Sequence, residues 1–128
     1  MPAMPKAAAE KGWTAVPVQR LQGGEARAET DRLATEAPLE IRFGTQPFTV
    51  LMRTPGNDEE LVAGFLFSEG IVQSAAELVA LGHPDALLED DCRNVVAVEL
   101  APGTRTPARS FYASASCGVC GKSSIADL

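Results

Sequence analysis

The chain has 128 residues, 45% hydrophobic and 22% charged, a size and balance that suit one soluble globular domain of ordinary dimensions. A net charge of −6 and a pI of about 4.7 exclude a broad nucleic-acid or anionic-membrane footprint. Three cysteines are too few and too unevenly placed for a secreted disulfide framework, the N-terminus has no apolar signal region, and no stretch nears the roughly 20 apolar residues of a membrane span. A reducing cytoplasm is the expected compartment.

Residues 1–12 carry Pro2, Pro5 and little periodicity and read as a mobile tail. From residue 13 to 20, Val16 and Val18 alternate near Trp13, which predicts a short strand or an extended arm. Residues 22–36, with Gly23-Gly24 and many charges, read as a polar connector, so residues 1–35 together form an arm and connector. An α+β core is expected over 36–113. Pro38-Leu39-Glu40-Ile41-Arg42-Phe43 alternates apolar and charged residues, Gly44-Thr45-Gln46-Pro47 supplies a turn, and Phe48-Thr49-Val50-Leu51-Met52-Arg53 returns, which makes a β-hairpin.

Thr54-Pro55-Gly56 breaks the strand and a helix follows. Asn57 with Glu60 matches a capping box, and Asp58, Glu59 and Glu60 suit the positive end of the dipole. The body, residues 61–67, is apolar on nearly every side and predicts a buried helix. Gly64 within it costs roughly 1 kcal/mol against alanine, which suggests close approach of another element or a kink. Gly70 stops the helix. Ser74 with Glu77 predicts a second, short helix through Leu81, ended by Gly82. Residues 83–93 read as an acidic loop, 95–100 as a strand, Pro102-Gly103 as a turn and 108–113 as a returning strand. Residues 114–128 hold a cysteine loop and the start of a further apolar segment, Ile125 to Leu128, that reads as cut off.

Chemistry concentrates in Cys117-Gly118-Val119-Cys120-Gly121-Lys122. Cysteines three positions apart can point both sulfurs into one small volume, and Gly118 and Gly121 allow a sharp turn around a reacting atom. Lys122 and turn N–H groups favour thiolate over thiol, drawing a cysteine below its free pKa of about 8.5. On the residues alone, a zinc knuckle and a redox or sulfur-handling loop stand about equal. A closed zinc site needs four ligands, and only Cys92 and His83 remain, at a spacing unlike a second knuckle. Cys92, among acids, and His83, before Pro84, are given no role. Asp58, Glu59 and Glu60 are better explained by the helix start than by acid–base or metal chemistry. Arg53 is either a surface charge at a strand end or a contact to phosphate or to the cysteine loop.

Four segments taken together resemble the formate dehydrogenase accessory sulfurtransferase family (FdhD). They are residues 36–41, residues 51–56, the run from Leu61 to Ile71, and Ser116-Cys117-Gly118-Val119-Cys120-Gly121-Lys122, in the family's order. The resemblance implies the N-terminal part of a two-part α+β fold whose C-terminal, cytidine-deaminase-like part has no counterpart in these residues. It implies a sulfurtransferase that takes persulfide sulfur from a cysteine desulfurase. The sulfur then passes to the molybdenum bis-guanine-dinucleotide cofactor before that cofactor enters formate dehydrogenase. By position, Cys117 would carry the persulfide and Cys120 would assist, with Gly118, Gly121 and Lys122 in support. No resident metal or tightly bound cofactor is expected, the family's cofactor-binding segment lies beyond Leu128, and the full-length protein would be a homodimer. The competing class is a zinc-bearing interaction module without catalysis; a dithiol redox regulator is a third.

Overall fold

Gly23 and Gly24 stand at φ of 60° and 84°, the positive values that a two-residue primed turn requires. They fold strand β1 (Trp13–Gln22) back on β2 (Glu25–Ala34) in an antiparallel pair whose register runs from Gln22↔Glu25 to Trp13↔Ala34. The computed structural model describes residues 12–84, 93–106 and 124–125. The expected strand at 13–20 is therefore present, but most of the stretch 22–36, Glu25–Ala34, is a strand where composition reads as a connector. The sequence Glu-Ala-Arg-Ala-Glu-Thr-Asp-Arg-Leu-Ala has little β propensity of its own, so cross-strand pairing decides its form. Among those pairs, the Arg32 guanidinium lies 4.4 Å from the centre of the Trp13 ring, Arg20 is ion-paired to Glu29, and the Thr14 and Thr35 hydroxyls are 3.1 Å apart.

The described residues divide into two compact units, one within Met1–Glu36 and Thr54–Gly56, the other within Ala37–Arg53 and Asn57–Leu128. The second holds a four-stranded mixed sheet in the order β4-β3-β6-β5, built from β3 (Ala37–Phe43), β4 (Gln46–Arg53), β5 (Leu78–Gly82) and β6 (Val95–Leu100). The hairpin β3–β4 forms as the alternation predicts, turning at Gly44 with φ of 59°. Pro47 lies on β4, an edge strand, and a bulge between Ile41 and Arg42 absorbs it. Strand β6 runs parallel to β3 and antiparallel to β5.

Helix α1 (Asp58–Ser68) covers one face of this sheet. Leu39, Ile41, Val62, Leu66 and Val96 are fully buried there, with Phe48, Ile71, Val72 and Val98 around them. Each such side chain contributes about 1.5–3 kcal/mol of transfer free energy. The helix is buried on one side only. Val62 and Leu66 face the sheet, whereas Phe67 is 63% and Leu61 39% exposed, because no second layer among the described residues covers them. Asn57 makes no side-chain capping bond, contrary to the capping-box pattern; its carbonyl accepts the Leu61 N–H. Gly70, at φ of 68°, ends the helix as expected, its N–H donating to Phe67.

Ser74 to Glu77 forms a single 3-10 turn, and the residues expected to continue it as a helix are β5 instead. The Glu77 carboxylate does reach back to the Gln73 N–H at 3.1 Å, but the Glu77 carbonyl accepts from Ala101, which commits the chain to pairing with β6. Long-range pairing outweighs the local capping signal. The strand at 95–100 matches its expectation, and the one expected at 108–113 lies outside the described residues.

Gly64 is exposed, and a Cβ placed on it meets no atom within 4 Å, so no close approach among the described residues explains it. Gly64→Ala is expected to raise the unfolding free energy by about 0.5–1 kcal/mol in urea titration, and a loss of stability would show a packing role.

Candidate functional site

Arg53 closes β4 and is only 6% exposed. A guanidinium carries five N–H donors and no acceptor, so burial demands five partners. Nε and Nη2 donate to the two carboxylate oxygens of Asp58, each at 3.0 Å, in a bidentate fork. Nη1 donates to the Pro38 carbonyl at 3.1 Å and to Asn94 Oδ1 at 3.2 Å, and Nη2 also donates to the Arg93 carbonyl at 2.7 Å. All five donors are engaged, so Arg53 is neither a surface charge nor free to contact phosphate. It joins the start of β3, the end of β4, the first residue of α1 and the approach to β6.

Asp58 is thereby drawn out of the exposed acidic cluster and buried, while Glu59 and Glu60 remain exposed at the helix start. His83 adds to the same knot. Its Nδ1 lies 2.7 Å from the Val95 carbonyl and its Nε2 3.3 Å from Asp58 Oδ2, which gives it the structural part that its sequence context did not suggest.

A second polar group lies on the sheet face opposite α1. Glu40, in the inner strand β3, is 1% exposed, its Oε1 paired with Arg42 and its Oε2 accepting the Ile125 N–H at 2.6 Å. Alternation alone places Glu40 on a polar outer face. The missed signal is the register: Glu40 pairs with Val50 and with Val95, so two valines flank it on that face.

Cys117, Gly118, Cys120, Gly121 and Lys122, and also Cys92, lie outside the described residues. The flanks of the cysteine segment are described, and both belong to the second unit. On the N-terminal side the chain leaves β6 through a turn in which Thr104 N–H donates to the Ala101 carbonyl, beside an open groove lined by Phe43, Gly44, Val98, Pro102 and Thr106. On the C-terminal side Ile125 is bonded to Glu40. Among the described residues no three His, Cys, Asp or Glu side chains gather as a metal site, and no helix is long and apolar enough to cross a membrane.

The described part is thus a mixed sheet with one covering helix, from which the chain runs on into the paired-cysteine segment. The crystal structure of a protein from Desulfotalea psychrophila described as a formate dehydrogenase accessory protein superposes with a TM-score of 0.60 at 20% identity, covering 75% of this chain and 38% of that one. The model of the FdhD/NarQ family matches residues 34–128, and the chain belongs to that family. The sulfur carrier protein FdhD of Mycobacterium tuberculosis is 41% identical over 117 residues, 84% of this chain and 42% of the relative. Those of Streptomyces coelicolor and Anaeromyxobacter dehalogenans are 40% and 38% identical, over 84% and 96% of this chain. The chain spans about two fifths of the length of these relatives.

The Arg53 knot makes a prediction about stability. Asp58→Asn, which leaves a buried guanidinium half-paired, should lower the unfolding free energy by about 3–5 kcal/mol in urea titration. Arg53→Lys should cost at least about 2 kcal/mol, because a point ammonium cannot replace a five-donor fork. A lysine variant within about 0.5 kcal/mol of the parent would contradict the assignment.

Proposed function

We propose that the chain is the cysteine-bearing part of a sulfur carrier that serves formate dehydrogenase. The observation that carries the proposal is the family match over residues 34–128, which takes in Cys117 and Cys120, together with relatives at about 40% identity named sulfur carrier protein FdhD. The chemistry of the segment supports it. Sulfur relay needs an accessible thiolate that attacks a donor persulfide, holds the outer sulfur and releases it.

In this mechanism a cysteine desulfurase presents a persulfide. The Cys117 thiolate attacks the outer sulfur, forming Cys117–S–SH as the donor's thiolate departs. The Cys120 thiolate then attacks Cys117 Sγ and expels hydrosulfide to the acceptor, leaving a Cys117–Cys120 disulfide that a cellular dithiol reduces. The acceptor is the molybdenum bis-guanine-dinucleotide cofactor, bound as substrate before its insertion into formate dehydrogenase. Lys122 and the glycine N–H groups favour the attacking thiolate. The setting is the cytoplasm, and the full-length protein acts as a homodimer.

Intact-mass spectrometry after incubation with a cysteine desulfurase and cysteine tests the first half. Wild-type protein should gain one sulfur mass that a reductant removes, Cys117→Ala should gain none, and Cys120→Ala should load but fail to release. Absence of added sulfur, with a zinc ion retained in the native mass, would mean that the cysteines form a metal knuckle.

A further inference from the structure

Glu40 occupies a place that a structural strand residue does not need to hold as a carboxylate. It sits mid-strand on the inner strand β3, and Val50 and Val95, its neighbours on the same face, are 0% and 3% exposed. Neither valine belongs to the cluster beneath α1, so the second face of the sheet is sealed at this point as well. A carboxylate in such surroundings is costly unless its oxygens are occupied. Arg42 occupies Oε1, but the group that meets Oε2 comes from 85 positions away, the Ile125 N–H at 2.6 Å.

Ile125 is five residues past Cys120. We infer that Glu40 is a positioning residue for the cysteine segment: its buried carboxylate fixes the C-terminal root of that segment to the centre of the sheet. A segment rooted at both ends surrenders less conformational freedom when it docks into a sulfur donor than one rooted only at β6. The inference rests on the sulfur-carrier function above and adds to it a residue that touches neither sulfur nor donor.

The full chain is compared with Glu40→Gln, which keeps a carbonyl acceptor for the Ile125 N–H, and with Glu40→Leu, which does not. Three rates are measured: amide exchange at Ile125, iodoacetamide alkylation of the cysteines across pH, and sulfur loading from a cysteine desulfurase. In Glu40→Leu the Ile125 amide should exchange at least tenfold faster, and kcat/KM for loading should fall roughly tenfold through KM. The alkylation pH profile should stay unchanged, and Glu40→Gln should restore most of both losses. A merely structural role would move stability without this split between donor KM and thiol titration. Equal Ile125 exchange in all three proteins overturns the tether, as does faster exchange with undiminished loading. Wild-type protein that takes up no sulfur refutes the carrier function instead, and the exchange rates still decide whether Glu40 holds Ile125.

Discussion

A single buried guanidinium sets the terms for the second unit of this chain. Arg53 cannot be deprotonated, cannot accept a hydrogen bond and cannot reach water, so each of its five donors has to find a partner within the fold. It finds them on three separate stretches: Pro38, Asp58 and the pair Arg93-Asn94 are held in one place because the same planar group needs all of them. The arrangement couples sequence positions up to 41 apart and aligns the parallel strands β3 and β6, beside which the Glu40 N–H donates to the Asn94 carbonyl at 2.7 Å. A buried ion pair of this kind adds little net stability against an apolar replacement, yet losing one member is severe. Its effect here is on geometry. It dictates where α1 begins and how β6 enters the sheet.

The site follows from that geometry. Strand β6 leads toward the cysteine segment, and the chain returns from it to Ile125, whose N–H meets Glu40 on the strand beside β6. The two faces of the sheet therefore do different things. One packs against α1 through Leu39, Ile41, Val62 and Leu66, and supplies most of the apolar burial. The other seals a carboxylate between Val50 and Val95.

Much of this was legible in the residues. The β3–β4 hairpin, the extent of β6, the helix start near Asp58 and its stop at Gly70 follow from period, turn chemistry and breaker residues acting over a few positions. The FdhD resemblance was legible too, because an ordered set of short segments is more specific than a lone pair of cysteines. What escaped was decided at a distance. The alanine-rich sequence of β2 becomes a strand only because β1 pairs with it, and Leu78 to Gly82 becomes β5 only because β6 claims it. Arg53 stood between a strand-end charge and a contact to phosphate or to the cysteine loop, because nothing local announces that Asn94 will accept from it. Glu40 was no more than a charged position in the alternation of its strand, because alternation reports which face a residue is on, and not whether that face is covered.

Native-state amide exchange tests most directly the claim that one guanidinium binds the strands and the helix start together. The Leu61 amide, bonded to the Asn57 carbonyl in the first turn of α1, and the Glu40 amide, bonded to Asn94, lie on different elements. If Arg53 unites them, both exchange through one opening in wild-type protein, and Arg53→Lys speeds both by the same factor, roughly tenfold or more. A helix start that frays on its own, with Leu61 accelerated and Glu40 unchanged, would contradict the account and leave Arg53 as a local clip between β4 and α1.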